Sequence, residues 1–308
     1  MKGLELSRSY YEEYGKPMLE KDFPGLLPYL AVGFVGSGSE RYGFDDEIST
    51  DHDFEPGFCI FLPDENTVDR RSEFLLERAY AKLPKEHMGC KRLPLSPVGG
   101  NRNGVMRTAD FYLRAVGASD GSLPTEAWLR IPDYALAEAT NGEVFFDNYG
   151  EFSSIRRSLL SMPQDILLKR LAGNLLIMAQ AGQYNYPRCL AHGEKEAAQL
   201  ACNEFVSSAI KVVFLLRGKY APYYKWSFRA LRLIDTEESY AERLSQLLCG
   251  ASDDKMSTIE CVCTDIISEL INLNITKAQC GELERHAYSV NDRISDAELR
   301  NMHILAAI

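Results

Sequence analysis

Two short apolar runs dominate the N-terminal third of the chain: Tyr29-Leu30-Ala31-Val32-Gly33-Phe34-Val35 and Phe58-Cys59-Ile60-Phe61-Leu62. Runs this short, flanked by turn-forming residues, predict buried strands. Before them, Leu4, Tyr11, Tyr14, Met18 and Leu19 recur at near-helical spacing. This predicts a helix over about 4–19 that packs on the sheet and is broken by Asp22, Pro24 and Gly25. After them, Arg70 to Leu83 reads as a helix whose faces are marked by Phe74, Leu75, Arg78, Ala79 and Leu83. A Pro-, Gly- and Asn-rich stretch from 84 to 103 reads as a loop. Short helices near 112–117, 123–128 and 131–137 follow, and Gly142 to Asp147 closes the region as a strand or hairpin arm.

Past Gly150 the period becomes helical throughout. Ile166, Leu167, Leu171, Leu175, Met178 and Ala179 form one stripe; Ala197, Leu200, Ala201, Phe205, Ala209, Val212, Val213 and Leu216 form another. Both are patterns of bundle helices. The expected architecture is α+β: a mixed-sheet head with helices over residues 1–150 and an all-helical bundle over 151–308 that closes over it.

Composition sharpens this picture. The chain has 308 residues, 45% hydrophobic and 25% charged, which suits two globular domains. A formal net charge of −10 argues against a broad, sequence-independent grip on nucleic acid. The eight cysteines are scattered, and the pair Cys261 and Cys263 has no partner ligands at zinc spacing, so reduced thiols are expected. No apolar signal core follows Met1, and no apolar run is expected to span a bilayer, so the protein is expected to be cytoplasmic.

Candidate chemistry lies between the two strands. The first leads into Gly38-Ser39-Glu40-Arg41-Tyr42-Gly43, and the approach to the second contains Ser49-Thr50-Asp51-His52-Asp53. Glycines let a backbone come close to a ligand, and the N–H groups opening a helical turn can face phosphate oxygens. A Gly-Ser pair alone is the composition of a tight turn; the downstream acids change the reading. If both are extended, Asp51 and Asp53 share one face about 7 Å apart. Such a pair suits Mg²⁺ or Mn²⁺ and leaves room for substrate phosphates. Asp45, Asp46 and Glu47 read as a solvated, helix-capping or cation-attracting rim, and His52 as a packing residue.

Gly-Ser-x-x-x-Gly followed by Asp-x-Asp resembles the signature of the nucleotidyltransferase superfamily that includes DNA polymerase β and the kanamycin nucleotidyltransferases. The string from Gly38 to Asp53 is closer to a bacterial branch of it catalogued as a domain of unknown function, and the resemblance spans most of the chain. It implies a nucleotidyltransferase-type head in which Gly38 and Ser39 hold a triphosphate and Asp51 and Asp53 hold the metal. It also implies a third carboxylate on the next strand, as metal ligand or base, but the corresponding stretch, Asn103 to Thr108, has Met106 at that place. Asp110 and Asp147 are substitutes, each otherwise a structural or capping aspartate. Tyr220-Ala221-Pro222-Tyr223-Tyr224-Lys225-Trp226 resembles a Tyr-x-Pro-Tyr-x-Lys-Trp element of the same branch. Lys225 would then offset charge on the leaving pyrophosphate and Tyr223 would position a base or acceptor; the other reading is a Trp-anchored turn. Gln183 to Arg188 is a polar, aromatic interhelical loop, either solvated or placing Arg188 on substrate.

The expected reaction is transfer of a nucleoside monophosphate from an NTP to a hydroxyl acceptor with release of pyrophosphate. The acidic surface favours a small or cationic acceptor. Because the third acid is missing, a catalytically degenerate nucleotide binder, a sensor or a toxin–antitoxin component, stands as the alternative. An RNA acceptor is a further one.

Overall fold

A computed structural model describes residues 1–48, 54–92, 102–235, 239–250 and 254–308. Asp51 and Asp53 lie outside the described residues. The fold is α+β, and the chain separates into two compact units, residues 1–123 with 135–161 and residues 124–134 with 162–308.

The first unit is built on a mixed sheet. Among the described residues its strands are β1 (Ala31–Phe34), β2 (Cys59–Leu62), β5 (Gly104–Arg107) and β6 (Glu143–Asp147), with a small separate hairpin of β3 (Glu86–His87) and β4 (Cys90–Lys91). The spatial order is β5-β2-β1-β6; β1 runs antiparallel to β2 and β6, and β2 runs parallel to β5. Both central strands are buried at every position, which is why they read as unbroken apolar runs instead of alternating ones.

Side-chain alternation splits the core between two faces of the sheet. Val32, Ile60 and Leu62 join Tyr10, Tyr11, Leu19, Leu76 and Tyr80 on one face. On the other, Phe61 stacks on Phe152 with ring centroids 4.1 Å apart and meets Phe111 edge-on at 5.3 Å. Phe58, Phe61 and Phe152 are almost wholly buried, each contributing about 2–3 kcal/mol of apolar transfer. Phe152 explains why helix Glu151–Leu160 belongs to this unit, so that the contacts divide at Ser161 where the hydropathy pattern divides near Gly150.

Two helical faces differ from the sequence reading. The first helix comprises Gly3–Tyr10, a π turn over Tyr11–Gly15, and Lys16–Asp22. Tyr11, Met18 and Leu19 are buried as their spacing predicts, and Leu6 and Tyr10 are buried with them, while Leu4 and Tyr14 are only partly so. In helix Arg70–Ala81 the core residues are Leu76 and Tyr80, whereas Phe74 and Leu75 are exposed. The Tyr80 hydroxyl receives the Phe58 N–H at 3.0 Å and donates to the Phe58 carbonyl at 2.9 Å, fixing the start of β2.

In the second unit, helix Gln164–Met178 is buried on nearly all sides, because it packs against both Lys195–Leu216 and Leu283–Asn291. Its Lys169 ammonium is buried and donates to Asn291 Oδ1 at 2.9 Å and the Met302 carbonyl at 2.7 Å. Gln183 to Arg188, expected as a loop, is helical: a π turn over Ala179–Asn185 and a helix over Tyr186–Ala191. Helix Lys195–Leu216 is long and apolar enough to cross a membrane by length and composition, which corrects the expectation that no run would be. Cys202, Phe205, Ala209, Val212 and Val213 on it are fully buried, as in a core helix. Helix Thr125–Arg130 joins this unit because Arg170 donates to the Trp128 carbonyl at 2.6 Å and pairs with Asp133.

Candidate functional site

The chain leaves β1 at Phe34 and turns through Gly36, Ser37 and Gly38 into a 3₁₀ turn over Ser39–Tyr42. Gly36 and Gly38 take φ of +106° and +126°, conformations that glycine adopts at little cost and other residues only under strain. Gly38 is doubly constrained, since a Cβ there would overlap the Arg102 guanidinium and both Glu40 carboxylate oxygens. Asn141 completes the frame: Gly36 N–H donates to its Oδ1 at 2.8 Å, and its Nδ2 donates to the Gly36 carbonyl at 2.7 Å.

Two arginines and one glutamate hold this loop from below. Arg41 is 2% exposed and donates to the Val35 carbonyl at 2.7 Å, the Arg102 carbonyl at 3.0 Å and Asn103 Oδ1 at 2.9 Å. It also pairs with Glu40 and lies over the Phe34 ring, 4.2 Å from its centroid. Burial pulls the Arg41 guanidinium down from its ordinary range, with Glu40 opposing. Arg102 bonds the Ser37 carbonyl and reaches Glu40 at 2.9 Å. A buried charge costs several kcal/mol unless paired and hydrogen-bonded, and Arg41 has nearly every donor occupied. The neighbouring Asp45 is a cap: buried, it accepts the Gly3 N–H at 2.9 Å at the head of the first helix.

Beside the loop is a cavity of about 200 Å³ walled by Gly36, Ser37, Cys59, Met106, Phe111 and Glu138 among others. Met106 sits on β5 opposite Phe61 of β2. The position at which a third acid is expected therefore faces the cavity and presents a thioether. Asp110 is exposed in the first turn of helix Thr108–Val116 and lines a different groove, with Glu65, Arg70, Glu73 and Arg107. Asp147 caps a helix, accepting the N–H groups of Gly150 and Ser153 at 2.7 Å each.

A second, larger cavity of about 530 Å³ lies within the helical unit. Its floor carries Arg170 and Asn174, one helical turn apart and both nine-tenths buried or more. Arg170 pairs with Asp133, and burial pushes the Asp133 carboxyl up against the pull of Arg170 and Lys211. Tyr134, Tyr223 and Tyr224 form one wall; Tyr134 meets Tyr223 edge-on at 5.7 Å, and Tyr223 lies 4.5 Å from Tyr224. Tyr223 thus lines this cavity, while the adjacent Lys225 is exposed and its ammonium lies 5.0 Å over the Trp226 ring. The sequence reading found Tyr223 but not Asp133, Arg170, Asn174 or Lys211, which no local motif marks.

Other candidates have structural partners. Gln183 bridges Glu260 at 2.9 Å, the Gly281 carbonyl at 3.0 Å and the Leu283 N–H at 2.9 Å. Arg188 lies 5.0 Å over the Tyr184 ring. All eight cysteines are free thiols.

A sequence family described as a domain of unknown function, DUF4037, matches residues 128–227. That stretch contains Arg130, Asp133, Arg170, Asn174, Lys211 and Tyr223. No curated protein matches the chain. Among solved structures the chain is similar to a nucleotidyltransferase-like protein from Exiguobacterium sibiricum 255-15, with 10% identity, 87% of this chain and 74% of that chain covered, and a TM-score of 0.35.

Proposed function

We propose that the chain transfers a nucleoside monophosphate from a nucleoside triphosphate to a hydroxyl group of a small molecule. The acceptor oxygen attacks the α-phosphorus, the bond from that phosphorus to the β-phosphate bridging oxygen breaks, and pyrophosphate leaves. The hydroxyl proton passes to a base or to water. The observation that carries this reading is the Gly36–Ser39 loop, set by two positive-φ glycines and clamped by Arg41, Arg102 and Glu40 beside an open cavity. A loop already fixed before the ligand arrives gives up little entropy on binding phosphates.

Asp51 and Asp53 are the residues assigned to the divalent cation. Among the described residues no group of three or more His, Cys, Asp or Glu side chains is placed to hold one. Two carboxylates form an all-oxygen, incomplete donor set, the kind a hard cation completes with substrate phosphates and water. When bound, the cation neutralises phosphate charge. Gly38 and Ser39 supply backbone N–H groups toward the phosphates, and the buried Arg41 keeps them in position.

Met106 in the cavity wall favours a second reading, nucleotide binding without turnover. Incubating the chain with each NTP and Mg²⁺ across a panel of hydroxyl acceptors, with pyrophosphate as readout, separates the two. Acceptor-dependent pyrophosphate that vanishes in Asp51→Asn/Asp53→Asn supports transfer. Magnesium-dependent nucleotide binding with no pyrophosphate supports the binder, and no magnesium-dependent nucleotide binding overturns both.

A further inference from the structure

The cavity of the helical unit has its own chemistry. Its charged side chains are Arg130, Asp133, Arg170 and Lys211, three cations to one acid, in a chain whose formal charge is −10. Asp133 is spent on Arg170. Among the described residues neither the Arg130 nor the Lys211 side chain has a hydrogen bond or a close ion pair, and Lys211 acts on Asp133 only through space. Cationic side chains therefore outnumber acidic ones at this cavity, against the formal charge of the chain.

The cavity also displays ring surface and an unmet polar group. Tyr134 and Tyr223 are each 42% exposed and Tyr224 is 75% exposed, an unusual amount of aromatic surface to gather at one place. Such rings offer a stacking face for a flat ligand. Asn174, 3% exposed, donates through Nδ2 to the Arg170 carbonyl at 2.9 Å, but its Oδ1 and the Arg170 Nε have no partner among the described residues. A buried polar atom without a partner costs about 1–3 kcal/mol, which a ligand group or a carried-in water can relieve. A volume of about 530 Å³ is of the size that takes a drug-sized ligand.

We infer that this cavity is a binding site for a planar ring bearing an anionic group, phosphate or carboxylate, with the ring against Tyr134 and Tyr223 and the anion toward Lys211 and Arg130. The site uses none of the Gly36–Ser39 loop and no metal, so it stands or falls separately from the transfer reading.

The experiment is calorimetric titration of the full chain in EDTA with two matched pairs, AMP against adenosine and nicotinate against nicotinamide. At least one anionic member is expected to bind saturably, its neutral partner roughly tenfold or more weakly, given what a charge-assisted contact contributes. Which pair responds tells phosphate from carboxylate. Lys211→Glu and Tyr223→Ala, both at partly or fully exposed positions, are each expected to weaken binding by roughly tenfold, with far-ultraviolet circular dichroism confirming the fold. Asp51→Asn/Asp53→Asn is expected to leave this metal-free binding intact. Equal binding of charged and neutral members, saturable binding indifferent to both Lys211→Glu and Tyr223→Ala, or no binding of any probe overturns the inference.

Discussion

The cavity beside Gly36–Ser39 is walled by a strand-to-turn segment whose shape is set by successive backbone dihedrals, whereas the cavity of the helical unit is walled by side chains drawn from residues 129–134, 170–174, 207–211 and 221–227. In the first, the rigid part is the peptide backbone and the arginines are its props. In the second, Arg170 and Asn174 stand on one of the most enclosed helices of the unit and the tyrosines on its margin. A cavity walled by such a loop is expected to answer to change in its glycines through the fold of the loop. A cavity walled by helix side chains is expected to tolerate change at its margin and, if it binds the proposed ligand, to answer in affinity.

The strongest way to break this contrast is to remove a prop. Arg41→Met strips Glu40 of its buried partner and is expected to lower stability by about 3–5 kcal/mol, read as a fall in the urea midpoint. Metal-free binding in the helical cavity should survive wherever the fold does. Met106→Asp places a carboxylate on the cavity wall of β5. If transfer is limited by the missing third acid, acceptor-dependent pyrophosphate release should rise by roughly 10²-fold in a coupled assay. No rise assigns the base elsewhere. Gly38→Ala forces a Cβ into Arg102 and Glu40 at a φ of +126° and is expected to cost about 1–3 kcal/mol and the magnesium-dependent nucleotide affinity.

A smaller effect comes from pH. Burial raises Tyr11 from the ordinary phenol range to about 12. Its raised folded value means this stability is complete below about pH 10 and is lost as pH rises toward about 12. The chain has 16 tyrosines, so the readout is the difference in phenolate absorbance between the chain and Tyr11→Phe, which should rise together with the loss of circular dichroism and not before it.

The strands were legible because β1 and β2 are buried on both faces and so appear as unbroken apolar runs. The Gly-Ser loop was legible because the glycines that meet its conformational demand lie close together in the chain. The π turn at Tyr11–Gly15 was not, since apolar spacing carries no mark of one extra residue in a turn. Helix Gln164–Met178 was read as striped, but it buries Lys169, Arg170 and Asn174, polar groups that only tertiary partners make affordable. The same distance in sequence hid the helical cavity: Asp133 and Arg170 are 37 positions apart, and nothing in either neighbourhood announces the other.

Tyr80 ties a helix to a strand that precedes it in the chain. Through its bidirectional link to the N–H and carbonyl of Phe58, helix Arg70–Ala81 moors the residue that leads into β2. Trimming that phenol to Tyr80→Phe keeps the ring and removes both bonds, and its signature would be a strand start that exchanges its amide hydrogen sooner while the glycine loop stays as taut as before.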